Sequence, residues 1–212
     1  MSSMVSRLLG IACLLFAVLF APASYATVQL DVQGGILMGA TSVDVNGMLY
    51  DVQFANGSCD SLFNNCDPAT FAFSTKSDAD AASQALLDSV FVDGPIGNFD
   101  SDQTLTNGCG AESLLSLSFC GVQTLYAAAN GQDYGSVAFN YIANNTYLDN
   151  VGSSYGSTSF DTSVAPYLNY AVWSVSSAQP KSVPEPGSLA LLGIGLVGMG
   201  IVSNRKRKAQ VE

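Results

Sequence analysis

The stretch Gly97-Asn98-Phe99-Asp100-Ser101-Asp102-Gln103-Thr104 sets Asn98, Asp100 and Asp102 at alternate positions. The first oxygen ligands of a calcium loop are spaced this way, and extracellular calcium is the ion such a set would take. An EF-hand loop then wants glycine at its sixth position and a bidentate glutamate at its twelfth. Here those positions hold Gln103 and Cys109, so a polar turn after a helix competes with the cation reading. No other cofactor is expected.

Nucleophilic chemistry has little to work with. Histidine is absent from the chain, which removes the usual Ser-His and Cys-His pairs. Glycoside hydrolysis needs two carboxyl groups about 5–10 Å apart. Glu112 is the lone glutamate between Thr27 and Val183, and nothing in the sequence selects an aspartate to partner it. The expectation is a protein that is not an enzyme. Tyr126, Tyr134, Tyr141, Tyr147, Tyr155, Tyr167, Tyr170 and Trp173 offer a sugar-stacking face, against the alternative that aromatics at strand positions are core or cross-strand partners.

Cys59, Cys66, Cys109 and Cys120 form an even set. Without histidine, and without C-x-x-C spacing in either close pair, zinc is disfavoured. In an exported chain the set reads as disulfides, for which three connectivities exist. The pairing Cys59–Cys66 and Cys109–Cys120 is favoured, because each pair lies in one local segment and closes a polar loop.

Several elements must position these residues. In GATSVDVNGMLYDVQFANG, Gly39 to Gly57, two alternating runs flank Asn46-Gly47, a strong hairpin signal. Leu62 and Phe63, in the loop between Cys59 and Cys66, are expected to turn inward. Ala79, Ala82, Leu86 and Val90 recur at helical spacing, which predicts an amphipathic helix over Asp78 to Val92, capped by Ser77 and stopped by Gly94-Pro95. From Leu114 onward strand-like pieces return. The fold class is therefore α+β: a mostly antiparallel sheet with one amphipathic helix.

Charge separates the middle of the chain from its ends. Between Thr27 and Val183 only Lys76 and Lys181 face fifteen acidic residues, an excess of thirteen negative charges. Such a field repels nucleic acid and anionic lipid, so no nucleic-acid partner is expected.

At the N-terminal end, Arg7 precedes the apolar run Leu8 to Ala23 and the small residues Ser24 and Ala26, as in a signal peptide spanning 1–26. At the other end, Gly193, Gly195 and Gly198 mimic a dinucleotide fingerprint. That motif needs a preceding strand, a following helix and a later acidic residue, and the basic run Arg205, Lys206, Arg207 and Lys208 follows instead. The uncharged run Gly187 to Val202 would rise roughly 24 Å as a helix, a marginal span of a hydrocarbon core of about 30 Å. The basic cluster would remain cytoplasmic. Before the span stands Pro184-Glu185-Pro186, whose prolines fix an extended backbone around one carboxylate.

Pro-Glu-Pro, a glycine-rich apolar helix and a basic terminus, in that order, resemble the PEP-CTERM sorting signal of exported bacterial proteins, over Val183 to Lys208. The resemblance implies recognition of Pro184, Glu185, Pro186 and the Arg205–Lys208 cluster by an exosortase, a membrane cysteine transpeptidase-like enzyme. It also implies tail removal and transfer to the cell surface or matrix. The central domain looks similar to that of other proteins with such tails, through GATSVDVNGMLYDVQF, AASQALLDSVF and NYAVWSV in the same order, and this brings no reaction with it.

The organisation expected is a signal peptide at 1–26, an exported acidic α+β domain at 27–182 and a sorting signal with its transmembrane helix at 183–212. The role expected is a binding or structural part of the surface or extracellular matrix, associated with exopolysaccharide. The membrane holds the precursor through the C-terminal helix. The alternatives are a carboxylate-dependent hydrolase of matrix polysaccharide and a permanently anchored ectodomain.

Overall fold

A computed structural model describes residues 27–177, apart from 111–112, 115–116 and 144–145. The signal-peptide segment 1–26, Glu112, and the tail with Pro184, Glu185, Pro186, Arg205, Lys206, Arg207 and Lys208 lie outside the described residues.

The chain begins with a three-stranded meander: β1 (Gln29–Gln33), β2 (Ile36–Val45) and β3 (Met48–Ala55). Asn46 and Gly47 connect β2 to β3 with φ of 54° and 84°, the two positive values that a two-residue hairpin matched to strand twist requires. Asp44 Oδ1 accepts a 2.7 Å hydrogen bond from the Gly47 amide. The chain then leaves the sheet through a one-turn helix (Cys59–Leu62), a 3-10 turn (Pro68–Thr70) and the long helix Lys76–Ser89. A small hairpin follows, β4 (Asp93–Gly94) and β5 (Gly97–Asn98), then a second 3-10 turn, Gln103–Leu105.

The second meander contains β6 (Ser113–Leu114), β7 (Leu117–Ala129), β8 (Gln132–Ala143), β9 (Thr146–Tyr147) and β10 (Asn150–Ser157). Asn130 and Gly131, with φ of 54° and 74°, repeat the Asn-Gly hairpin between β7 and β8. The last strand, β11 (Leu168–Val175), enters between the two meanders and gives the order β1-β2-β3-β11-β7-β8-β10. It runs antiparallel to β3 from Tyr170 to Val175 and parallel to β7 from Leu168 to Tyr170. The sheet is thus mostly antiparallel with one parallel junction at its middle.

The long helix starts two residues before its expected first residue. Thr75, not Ser77, is the cap: its Oγ1 accepts from the Asp78 amide at 3.2 Å and donates to Asp78 Oδ2 at 2.7 Å. Starting there also brings Lys76 within 2.7 Å of Asp80 one turn on. At its other end the helix stops at Ser89, short of Val92, because Val90 and Phe91 turn into the core with both amides on the Leu86 carbonyl.

Ala79, Ala82 and Leu86 of that helix pack with Leu37, Val43, Val52, Phe54, Val122 and Ala138 on one face of the sheet. Each fully buried large apolar side chain contributes about 1.5–3 kcal/mol. The opposite face carries a smaller core of Cys59, Phe63, Cys66, Leu125 and Tyr170, with Leu62 partly buried against it. The inward turn expected of Leu62 and Phe63 is present. Among the described residues no helix is long and apolar enough to cross a membrane.

Candidate functional site

Both disulfides join the locally paired cysteines, Cys59–Cys66 and Cys109–Cys120. In the usual chain-entropy account, loops of this length contribute about 2.5–3 kcal/mol each. The Cys59–Cys66 bridge roofs a buried polar pair, in which Tyr170 Oη donates to Asp133 Oδ2 at 2.9 Å. Burial pushes the Asp133 carboxyl above its ordinary range, and the hydrogen bond from Tyr170 offsets only part of that. Burial, and then the Asp133 charge, push the Tyr170 phenol upward too. The two sulfurs and the Asp133 carboxylate lie within 4.8 Å of one another, but the sulfurs are bonded to each other and hold no lone thiolate for a metal.

The aromatic residues divide in a way the sequence does not announce. Trp173 and Tyr170 are core residues, 8% and 2% exposed, and offer no sugar-stacking surface. Trp173 packs edge-on against Tyr50 and Phe73, and its Nε1 donates to Thr124 Oγ1 at 3.0 Å. Tyr126 leans on the same core. Tyr155 is 77% exposed on β10, paired opposite Tyr134. The side chain of Tyr147 falls outside those described.

Tyr141 and Tyr167 belong to a different grouping. Phe119 sits at its centre, 6.3 Å from Phe139, 6.3 Å from Tyr141 and 5.4 Å from Tyr167 between ring centroids. Phe119 alternates along β7 with Cys120 and Val122, which face the helix side, so these rings line the opposite face. Phe119, Phe139 and Tyr141 are half-buried and Tyr167 is 39% exposed. The Phe139 ring lies close to the sheet because Gly152 beneath it has no side chain; a Cβ there would stand 2.7 Å from Phe139 Cε2. Reading tyrosine and tryptophan alone passes over Phe119 and Phe139; the alternation of Phe119, Gly121 and Gln123 with Cys120, Val122 and Thr124 is the signal that marks them.

Elsewhere on that face, toward β1, is a cleft of about 320 Å³ of mixed lining, with Asp31, Thr41, Asp51, Gln53 and Ser174 beside Ala40, Val52 and Val172. Asp51 Oδ1 is held by the Ser42 amide at 3.0 Å. Along the chain through β11 the roofed Tyr170 lies between Tyr167 of the aromatic cluster and Val172 of the cleft.

The alternating set Asn98, Asp100 and Asp102 is split among three tasks. Asn98 lies in β5 with its carbonyl accepting from the Asp102 amide at 2.8 Å. Asp102 Oδ1 caps the 3-10 turn, accepting from the Thr104 amide at 3.1 Å and from its hydroxyl at 2.5 Å. Asp100 instead faces Asp149. Burial, followed by the charge and hydrogen bonding of Asp149 and the charge of Asp93, push the Asp100 carboxyl up to about 6. Asp93 goes the other way. Burial works against its carboxylate, but bonds from Ser101 and from the Asp100 amide outweigh that and lower it.

Residues 182–208 match the family model of the PEP-CTERM protein-sorting motif. No curated protein and no solved structure matches the chain.

Proposed function

We propose that this chain is an exported bacterial surface or extracellular-matrix protein. An exosortase-type enzyme processes it at the tail, and its acidic domain binds exopolysaccharide rather than catalysing a reaction. The sorting motif at residues 182–208 carries the reading, since it implies recognition by an exosortase-type enzyme. Two disulfides in the domain suit an oxidising compartment. Eight residues, 176–183, separate β11 from Pro184. At full extension they reach about 29 Å, so the precursor holds its domain close to the membrane until the tail is removed.

The aromatic face supplies the binding surface. Rings of Phe119, Phe139, Tyr141 and Tyr167 stack against the apolar faces of sugars. Repulsion among fifteen acidic residues keeps the domain hydrated within such a polymer.

Two measurements test this. The first is the intact mass of protein recovered from cells and medium, for the native chain and for Glu185→Ala. Loss of the tail in the native chain, with retention in the variant, is expected; equal full-length masses in both would leave a permanently anchored ectodomain. The second is affinity electrophoresis on the matrix polysaccharide, where Tyr167→Ala combined with Tyr141→Ala is expected to abolish retardation. Unchanged retardation removes the aromatic face from the proposal, and turnover of the polymer would favour the hydrolase alternative.

A further inference from the structure

Among the described residues the main sheet ends in two edges, β1 and β10, and they are finished differently. β1 is five residues long, carries Asp31 and shifts register between Asp31 and Val32. Shortness, a charge and a bulge are devices that keep an edge from pairing with another chain. β10 has none of them. It makes eight consecutive pairs with β8, from Asn150↔Phe139 to Ser157↔Gln132, with no register shift. No charged residue and no proline occurs from Asn150 to Phe160.

We propose that β10 is a dimerisation edge, on which a second copy of this chain pairs its own β10 antiparallel across a two-fold axis. Charge supports a copy as the occupant. In a domain with thirteen excess negative charges, the uncharged edge lets two copies meet without opposing carboxylates in the ladder. The rest of the chain is a poor occupant. The mature N-terminal segment leads into β1 at the far edge, and the segment after β11 contains Pro180, Pro184 and Pro186, none of which has an amide to give a ladder. Because β1 is protected, pairing closes at two copies and does not propagate into a fibre.

The symmetry fixes which side chains meet. Directly opposed residues share a sheet face, and a two-fold axis normal to the sheet preserves that face, so only residues of like parity oppose each other. In the two registers that keep the most pairs, Ser153 faces either its own symmetry mate or that of Tyr155. Both side chains are exposed, so charges placed there leave the core untouched.

The experiment is sedimentation of the purified chain from Thr27 to Val183, which contains every described strand, at concentrations up to about 100 µM, where micromolar affinity is readily seen. The native chain is expected to dimerise in a concentration-dependent way. Ser153→Asp with Tyr155→Asp, and separately Ser153→Lys with Tyr155→Lys, should each weaken the dimer by about tenfold or more. Mixing the acidic and basic forms should restore a heterodimer. A native chain that is monomeric throughout, acidic variants that dimerise unchanged, or a mixture that forms no heterodimer would each overturn the proposal. Circular dichroism of each variant checks that it is folded.

Discussion

The Tyr170 hydroxyl and the Asp133 carboxylate, 2.9 Å apart and both almost fully buried, join the middle strand of the sheet to β8 across the intervening β7. A buried carboxylate that loses such a donor keeps its desolvation cost and gains nothing in return. Tyr170→Phe is therefore expected to destabilise the domain by about 1–3 kcal/mol at neutral pH. The pH dependence follows from direction. Asp133 in the folded state already binds its proton above the ordinary value of 3.8, so the fold loses stability as pH rises from there through the folded pKa. Without Tyr170 the carboxyl moves further up and the loss grows. Denaturant unfolding at pH 7 and at pH 4 should show the larger cost at pH 7; equal costs would mean the bond does not favour the charged form.

Asp100 and Asp149 give a second pH effect, located in the loops rather than the core. Asp100 rises from 3.8 to about 6 because of burial and its acidic neighbours. Between those values the folded state holds a proton that the unfolded state has released, so stability falls as pH rises from about 4 to about 6. Asp100→Asn removes that group. Its melting temperature should exceed that of the native protein at pH 7, and the gain should shrink towards pH 4. A gain independent of pH would assign the effect to packing alone.

What the sequence revealed depended on how local the cause was. Asn46-Gly47 specified its hairpin because two residues with positive φ suffice to set that turn. The cysteines paired locally, as their spacing of seven and eleven residues invites. The helix was legible by period, yet its start was not, since Thr75 and Ser77 are both competent caps. The Lys76–Asp80 ion pair, one turn apart, accompanies the earlier start. Trp173 could have faced either side of its strand, because alternation says which residues share a face and not which face is covered. The cation reading of Asn98, Asp100 and Asp102 likewise rested on spacing. Asp149, forty-nine residues from Asp100, becomes its neighbour only through the fold.

The least legible feature is the place of β11. Its parallel partner Gly121 is far from Leu168 in sequence, and no hairpin chemistry announces such a pairing. The last strand completes the sheet, with Ala171 and Trp173 entering the helix-side core and Tyr170 the opposite one. The sorting motif begins only a few residues beyond it. A cut near Pro184 would therefore leave every described strand in place, whereas loss of the chain from Leu168 onward separates the two meanders and exposes both cores. A chain from Thr27 to Ser177 is expected to melt within a few degrees of one ending at Val183. A chain ending at Tyr167 should show no cooperative transition by calorimetry. Cooperative melting of that shorter chain would show that β11 is an accessory strand, and would detach the integrity of the domain from the position of the sorting motif.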